Sequence, residues 1–183
     1  MKLLLNLKII VVSPFMTGSQ PVMKDKELSH IDASGNPQMV DVSVKAITHR
    51  TARAQATIKV SKEILDQINH DDLITKKGSV FQTAILAGVM GAKKTSDLIP
   101  LCHPLSMENC QVEIHVRNNK IVIDTLATIT GKTGVEMEAL TSASVAALTI
   151  YDMCKALSQE IIIEEIKLME KTGGKKNFKR TVV

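Results

Sequence analysis

Apolar and polar residues alternate along the first half of the chain: Val40, Val42 and Val44 against Asp41, Ser43 and Lys45, then Ala52, Ala54, Ala56, Ile58 and Val60 against Arg53, Gln55, Thr57 and Lys59. A period of two puts successive side chains on opposite faces, so both runs predict half-buried strands. Val112, Ile114 and Val116 alternate in the same way with Glu113, His115 and Arg117. Asn118-Asn119 then turns the chain, and Lys120 to Thr130 is expected to return as the partner strand. Ile161 to Met169 predicts a last strand. Helical signals fall between these runs. Ser61 is placed to cap a short helix bearing Ile64, Leu65 and Ile68, which the polar turn Asn69–Asp72 ends. Ser79 and Gln82 have capping-box spacing and open a helix to about Lys94, whose small residues Ala84, Ala87, Gly88 and Gly91 imply a tight neighbour. A longer helix is predicted from about Val135 to about Ala156, where Ala, Leu, Met and Glu dominate and neither Gly nor Pro interrupts.

Two helix-backed halves sharing one antiparallel sheet predict an α+β fold, a ferredoxin-like α/β sandwich in a single domain. No internal repeat or low-complexity segment breaks that picture. At 183 residues and 44% hydrophobic content the chain can bury an ordinary core. A net charge of +4 favours an anionic ligand and is too mild to demand nucleic acid. The odd count of three cysteines, spread over unlike elements, predicts reduced thiols and a cytoplasmic location. The start, MKLLLNLKIIVVSPF, has the lysine and apolar run of a signal peptide, but Asn6 and Lys8 interrupt it and no small-residue cleavage site follows, so secretion is not expected. It is also too short to span a bilayer.

Candidate chemistry sits at the ends of the long helix. KTGVEMEALTSASVAALTIYDMCK (Lys132–Lys155) carries no charge between Ala139 and Tyr151. Glu138 and Asp152 fall within roughly 40° of each other around the axis but about 21 Å apart along it, so one small substrate cannot touch both on one chain. The face joining them bears Thr141, Val145 and Leu148, and the other side Leu140, Ala143, Ala147, Ile150 and Tyr151, so this helix needs cover all round. Acids in a first turn and Lys155 in the last also suit the helix dipole, and spacing alone leaves that reading open. In DLIPLCHPL, Pro100 and Pro104 stiffen a loop that presents His103 on an apolar base, either as a satisfied structural histidine or as a site group. Cys102-His103 makes a poor metal site, since no CxxC or HxxxH spacing supports it. The tail KTGGKKNFKR (Lys171–Arg180) reads equally as a phosphate-binding loop or a solvated basic terminus.

These segments, with MVDVS at Met39–Ser43 and KKGSVFQTAILAG at Lys76–Gly88, resemble the cyclic pyranopterin monophosphate synthase family, the molybdenum cofactor biosynthesis protein C family. The similarity runs from about Leu28 to Arg180, which leaves residues 1–27 as an expected flexible extension and 28–183 as the synthase domain. The resemblance implies conversion of 3′,8-cyclo-7,8-dihydro-GTP into cyclic pyranopterin monophosphate with loss of pyrophosphate. It implies Asp152 as the catalytic residue, Lys77 and Lys155 as its acid/base partners, and Leu101, Cys102, His103, Met137 and Glu138 against the substrate. Arg50, Arg53, Lys171 and Lys175 are candidates for the triphosphate on charge and motif position. Proton transfers of this kind suit a lysine whose pKa neighbouring cations lower, held by Asp152 at the i, i+3 spacing from Lys155. The family's KSGGKSG loop differs here, with Thr172 and Lys176 at its two serine positions. The resemblance also implies a symmetric homo-oligomer, a hexamer built as a trimer of dimers, with sites shared between subunits. No metal or organic cofactor is called for, and Mg²⁺ accompanying a triphosphate stays open. Two rivals stand beside this reading: a purely structural oligomer whose polar helix ends only cap, and a non-catalytic ferredoxin-like module binding nucleotides or RNA. The second lacks stacking platforms, with no Trp, one Tyr and three Phe.

Overall fold

The run that alternates through Ala52–Ile58 becomes strand β1 (Thr48–Lys59), the middle of the main sheet. A helical turn α1 (Lys62–Leu65), the short strands β2 (Ile68–Asn69), β3 (Asp72–Thr75) and β4 (Gly78–Ser79), and helix α2 (Val80–Lys93) follow it. A second helical turn, α3 (Thr95–Leu98), leads to β5 (Asn109–Arg117), β6 (Lys120–Gly131), α4 (Glu136–Cys154), β7 (Ile162–Thr172) and β8 (Phe178–Lys179). The computed structural model describes residues 31–32, 34–69 and 71–181, and the extension expected over residues 1–27 lies outside them.

The main sheet has the order β5-β6-β1-β7-β8, with every pairing antiparallel. β6 lies between β1 and β5, the two strands connected through α2, and β7 returns after α4 to the other edge of β1. That split βαβ topology is the ferredoxin-like sandwich the pattern predicted. Ala52, Ala54, Ala56 and Ile58 of β1 and Ile121, Ile123, Ala127 and Ile129 of β6 turn to one side and are buried with Ala139, Ala143, Ala146, Ala147 and Ile150 of α4. Alanines let the helix approach the sheet closely, while each fully buried isoleucine contributes about 1.5–3 kcal/mol. Asn118 and Asn119 both have positive φ, 52° and 58°, as the tight turn between β5 and β6 requires.

The small-residue stripe of α2 meets α4, as expected. A Cβ at Gly88 would lie 3.1 Å from the Ser142 carbonyl oxygen, and one at Gly91 only 2.7 Å from Val145 Cγ2. Ser79 caps α2 by accepting from the Gln82 N–H at 3.1 Å.

Three local expectations fail. Val40–Val44 is not a strand: the Asp41 carboxylate accepts from the Ser43 N–H at 2.8 Å, and this local turn replaces a ladder partner, leaving Val44 93% exposed. Ser61 precedes α1 but its hydroxyl makes no cap bond and is buried without a partner. Ile68 belongs to β2, paired with Leu73, and not to the short helix.

Candidate active site

The first cluster forms where β6 runs into α4. Thr133 and Gly134 turn the chain into the helix, whose first turn carries Glu136 and Glu138. A Cβ on Gly134 would fall 1.8 Å from a Glu136 carboxylate oxygen, so glycine is what lets Glu136 fold back over the turn. Glu136 Oε1 then accepts from Lys171 Nζ at 2.7 Å. Beside it opens a cleft of about 460 Å³, lined by Leu101, Cys102 and His103 from the proline-bracketed loop, Met137 and Glu138 from α4, and Lys175 from the tail. Glu138 is only 4% exposed. Burial, with the Glu136 charge adding to it, pushes its carboxyl up to about 6. The Cys102 thiol is also raised, by burial first and the Glu138 charge second. Among the described residues His103 makes no side-chain hydrogen bond.

The basic tail is a folded hairpin at the same end of the sheet, since β7 continues through Lys171 and Thr172 and β8 pairs back on Glu170 and Lys171. Gly173 has φ +78°, and a Cβ there would lie 2.0 Å from the His49 carbonyl oxygen, so the turn sits directly on β1. Thr48 donates to the Gly173 carbonyl at 2.8 Å. The Thr172 hydroxyl is engaged with that of Thr51 at 2.8 Å. Arg50 donates from Nε to the Gly131 carbonyl at 3.1 Å, at the mouth of the turn into α4. Arg53 is corrected by strand parity: Ala52 and Ala54 point into the core, so Arg53 is exposed on the opposite face of the sheet, away from this cluster.

Sequence reasoning missed the loop that closes the other side of the cleft. Val40, Val42 and Lys45 line it, held by Lys132 donating to the Ser43 carbonyl at 2.6 Å. The MVDVS motif next to Lys45 was the available signal; reading that stretch as a strand hid what its side chains reach.

The second cluster lies at the far end of α4. Lys77 Nζ, on the β3–β4 turn, is 3.0 Å from Asp152 Oδ2 and 3.3 Å from the Asp152 carbonyl oxygen, while Lys155 Nζ is 2.7 Å from Asp152 Oδ1. Lys155 first and Lys77 second hold the Asp152 carboxyl below its usual range. Asp152 in turn raises Lys155, the reverse of the lowering expected for a lysine among cations. All three side chains are more than half exposed, so these pairs add little to stability. An acid in the last turn of a helix also opposes the macrodipole, which removes the capping explanation for Asp152.

Because α4 is continuous from Glu136 to Cys154, Glu138 and Asp152 stay about 21 Å apart along its axis. The structure therefore brings Leu101, Cys102, His103, Met137, Glu138 and Lys175 together at one end, with Lys171 and Arg50 nearby, and Lys77, Asp152 and Lys155 at the other. Among the described residues no three His, Cys, Asp or Glu side chains converge as a metal site would need, and no helix is long and apolar enough to cross a membrane. The model of the MoaC family matches residues 39–174, a span that takes in both clusters apart from Lys175 and every strand of the main sheet except β8. The chain thus belongs to the MoaC family, the cyclic pyranopterin monophosphate synthases, enzymes of molybdenum cofactor biosynthesis that act on a small nucleotide-derived substrate.

Proposed function

We propose that this chain is a lyase that converts 3′,8-cyclo-7,8-dihydro-GTP into cyclic pyranopterin monophosphate and pyrophosphate, in a site shared between subunits of a homo-oligomer. The observation that carries it is the division of one family's chemistry between the two ends of one continuous helix, a buried carboxylate cleft at one end and a lysine–aspartate–lysine group at the other. Glu138, nearly buried beside Cys102 and Met137, is suited to accept from the paired N–H donors of a guanine-like edge. Arg50, Lys171 and Lys175 stand at one sheet end and supply charge for the triphosphate. Closing the cyclic phosphate requires a sugar hydroxyl to lose its proton and attack the α-phosphorus as the bond to pyrophosphate breaks. Asp152, ionised, holds Lys155 as a cation that stabilises the departing charge, and Lys77, which it positions on its other oxygen, is assigned the proton of the sugar hydroxyl.

In this reading the second copy covers the outer surface of the helix layer, where Leu86, Met90 and Leu148 are 61%, 56% and 60% exposed. Val145, on the same helix face as Leu148, packs on Gly91 within the chain. Antiparallel packing of α4 about a two-fold axis brings one copy's Glu138 end toward the other's Asp152 end, and three such dimers make the hexamer. The RNA-binding alternative finds little support in the sheet's open face, which carries Arg53, Gln55, Thr57 and Asp124 with the single imidazole of His115, since β1, β5, β6 and β7 contain no Phe, Tyr or Trp.

The test is turnover of the cyclised substrate by purified protein, followed by subunit exchange. Glu138→Ala and Asp152→Asn proteins, each inactive alone, recover part of the activity when mixed oligomers form, and Leu148→Glu blocks assembly. Mixed oligomers that stay inactive, with both variants folded, reject the shared site; no pyranopterin product from the native protein rejects the reaction.

A further inference from the structure

Lys77 stands at the tip of the β3–β4 hairpin, outside both long helices, and meets Asp152 through an ion pair whose partners are each 55% exposed. A pair so open to water is too weak to hold a two-residue tip against its own freedom. Gly78, next in the chain, has φ +103° and nothing within 4 Å of where a Cβ would stand, so neither a side chain nor packing at that residue fixes the turn. Two other side chains fix it. The Thr75 hydroxyl accepts from the Lys77 N–H at 3.1 Å and donates to the Gly78 carbonyl at 3.3 Å, closing the tip from both sides. Asp72, at the start of β3, accepts from the Leu73 N–H at 2.7 Å, the Phe81 N–H at 3.0 Å and the Ser79 hydroxyl. It thereby fastens both strands of the hairpin to the first turn of α2, and α2 is seated on α4 at Gly88 and Gly91. A continuous set of bonds and close contacts runs from the helix that carries Asp152 to the backbone that carries Lys77.

We propose that Thr75 and Asp72 are positioning residues that aim the Lys77 ammonium at Asp152. The inference rests on the reading of Lys77 as an acid/base group, and a readout independent of turnover separates the two. A displacement of the tip by about 1 Å is of the size that costs on the order of 10²-fold in rate when a reacting group is misplaced.

The experiment compares Thr75→Val, Thr75→Ser and Asp72→Asn with the native oligomer, measuring kcat, KM, melting temperature and the rate at which an amine-acylating reagent labels Lys77 relative to Lys76, read by peptide mass spectrometry. Thr75→Val is expected to lower kcat by about tenfold to a hundredfold with KM and melting temperature unchanged. It should also raise Lys77 labelling to the rate seen in Asp152→Asn, while Thr75→Ser restores both. Asp72→Asn shifts kcat and labelling in the same direction, and the Thr75 pair decides the matter even where Asp72→Asn is less stable. Native labelling and native kcat in Thr75→Val overturn the proposal, as does a loss of kcat that tracks a fall in melting temperature and that Thr75→Ser does not rescue. Should Lys77→Ala retain turnover, the acid/base reading falls, and the labelling contrast still tests whether Thr75 sets the Lys77–Asp152 contact.

Discussion

Replacing Glu138 by glutamine should make the protein more stable and less active, with a stability gain that builds between pH 4.5 and about 6 and is full above that. The side chain is 4% exposed, and burial moves its ionisation from 4.5 to about 6. Between those values the folded chain binds a proton that the unfolded chain has lost, so stability falls as pH rises through the window and the penalty is complete above it. A displacement of that size corresponds to about 2 kcal/mol. Glutamine keeps the shape and cannot ionise, so the variant recovers this amount at pH 8 and almost none at pH 4.5. For a chain of this length that is about 4–8 °C in melting temperature. With no tryptophan and one tyrosine, calorimetry or far-ultraviolet circular dichroism serves better than intrinsic fluorescence. Turnover should fall in the same variant, because an amide accepts fewer of the paired donors that a carboxylate accepts. A gain equal at both pH values, or a loss at pH 8, refutes the account in which burial governs this carboxyl.

Lys77→Ala and Asp152→Asn are each expected to abolish product formation with an unchanged melting temperature, since both side chains are more than half exposed and neither substitution opens a cavity; near-normal turnover by either removes it from the catalytic assignment. Gly91→Ala drives a methyl into Val145, an overpacking cost of about 1–3 kcal/mol set against about 1 kcal/mol of better helix propensity, so urea unfolding should show a net loss of about 0–2 kcal/mol. Adding Val145→Ala frees that space, and a double-mutant cycle should show favourable coupling; strict additivity counts against the close helix contact.

The long elements were legible because their periodicity and their burial coincide. Ala52 to Ile58 alternate into a two-layer core, and α2 announced its neighbour through Gly88 and Gly91. What escaped was decided by side chain–backbone bonds that periodicity does not carry. Val40–Val44 has a strand's alternation, but Asp41 bonding to Ser43 turns it into a loop, and Lys45 then reaches the cleft. Lys77 was flagged by its motif, yet nothing in the pattern foretold the Asp72 and Thr75 bonds around it. The separation of Glu138 and Asp152 followed from helix geometry alone, whereas the inward turn of Val145 depended on where α2 lies. Arg53 fell out of the cluster by one step of parity in β1.

The unbroken run of α4 from Glu136 to Cys154 also gives the helix the character of a ruler. Under the shared-site reading its length and phase, and not only its end residues, are set by what the two ends must meet on a second copy. One residue inserted in the middle would swing Asp152 by about 100° and advance it by about 1.5 Å, whereas seven would nearly restore the phase but lengthen the span by about 10 Å. Neither change leaves both ends in register with an unaltered partner. Substitutions between Ala139 and Tyr151 that keep side-chain volume and polarity should therefore be far better tolerated than any change in the number of residues there.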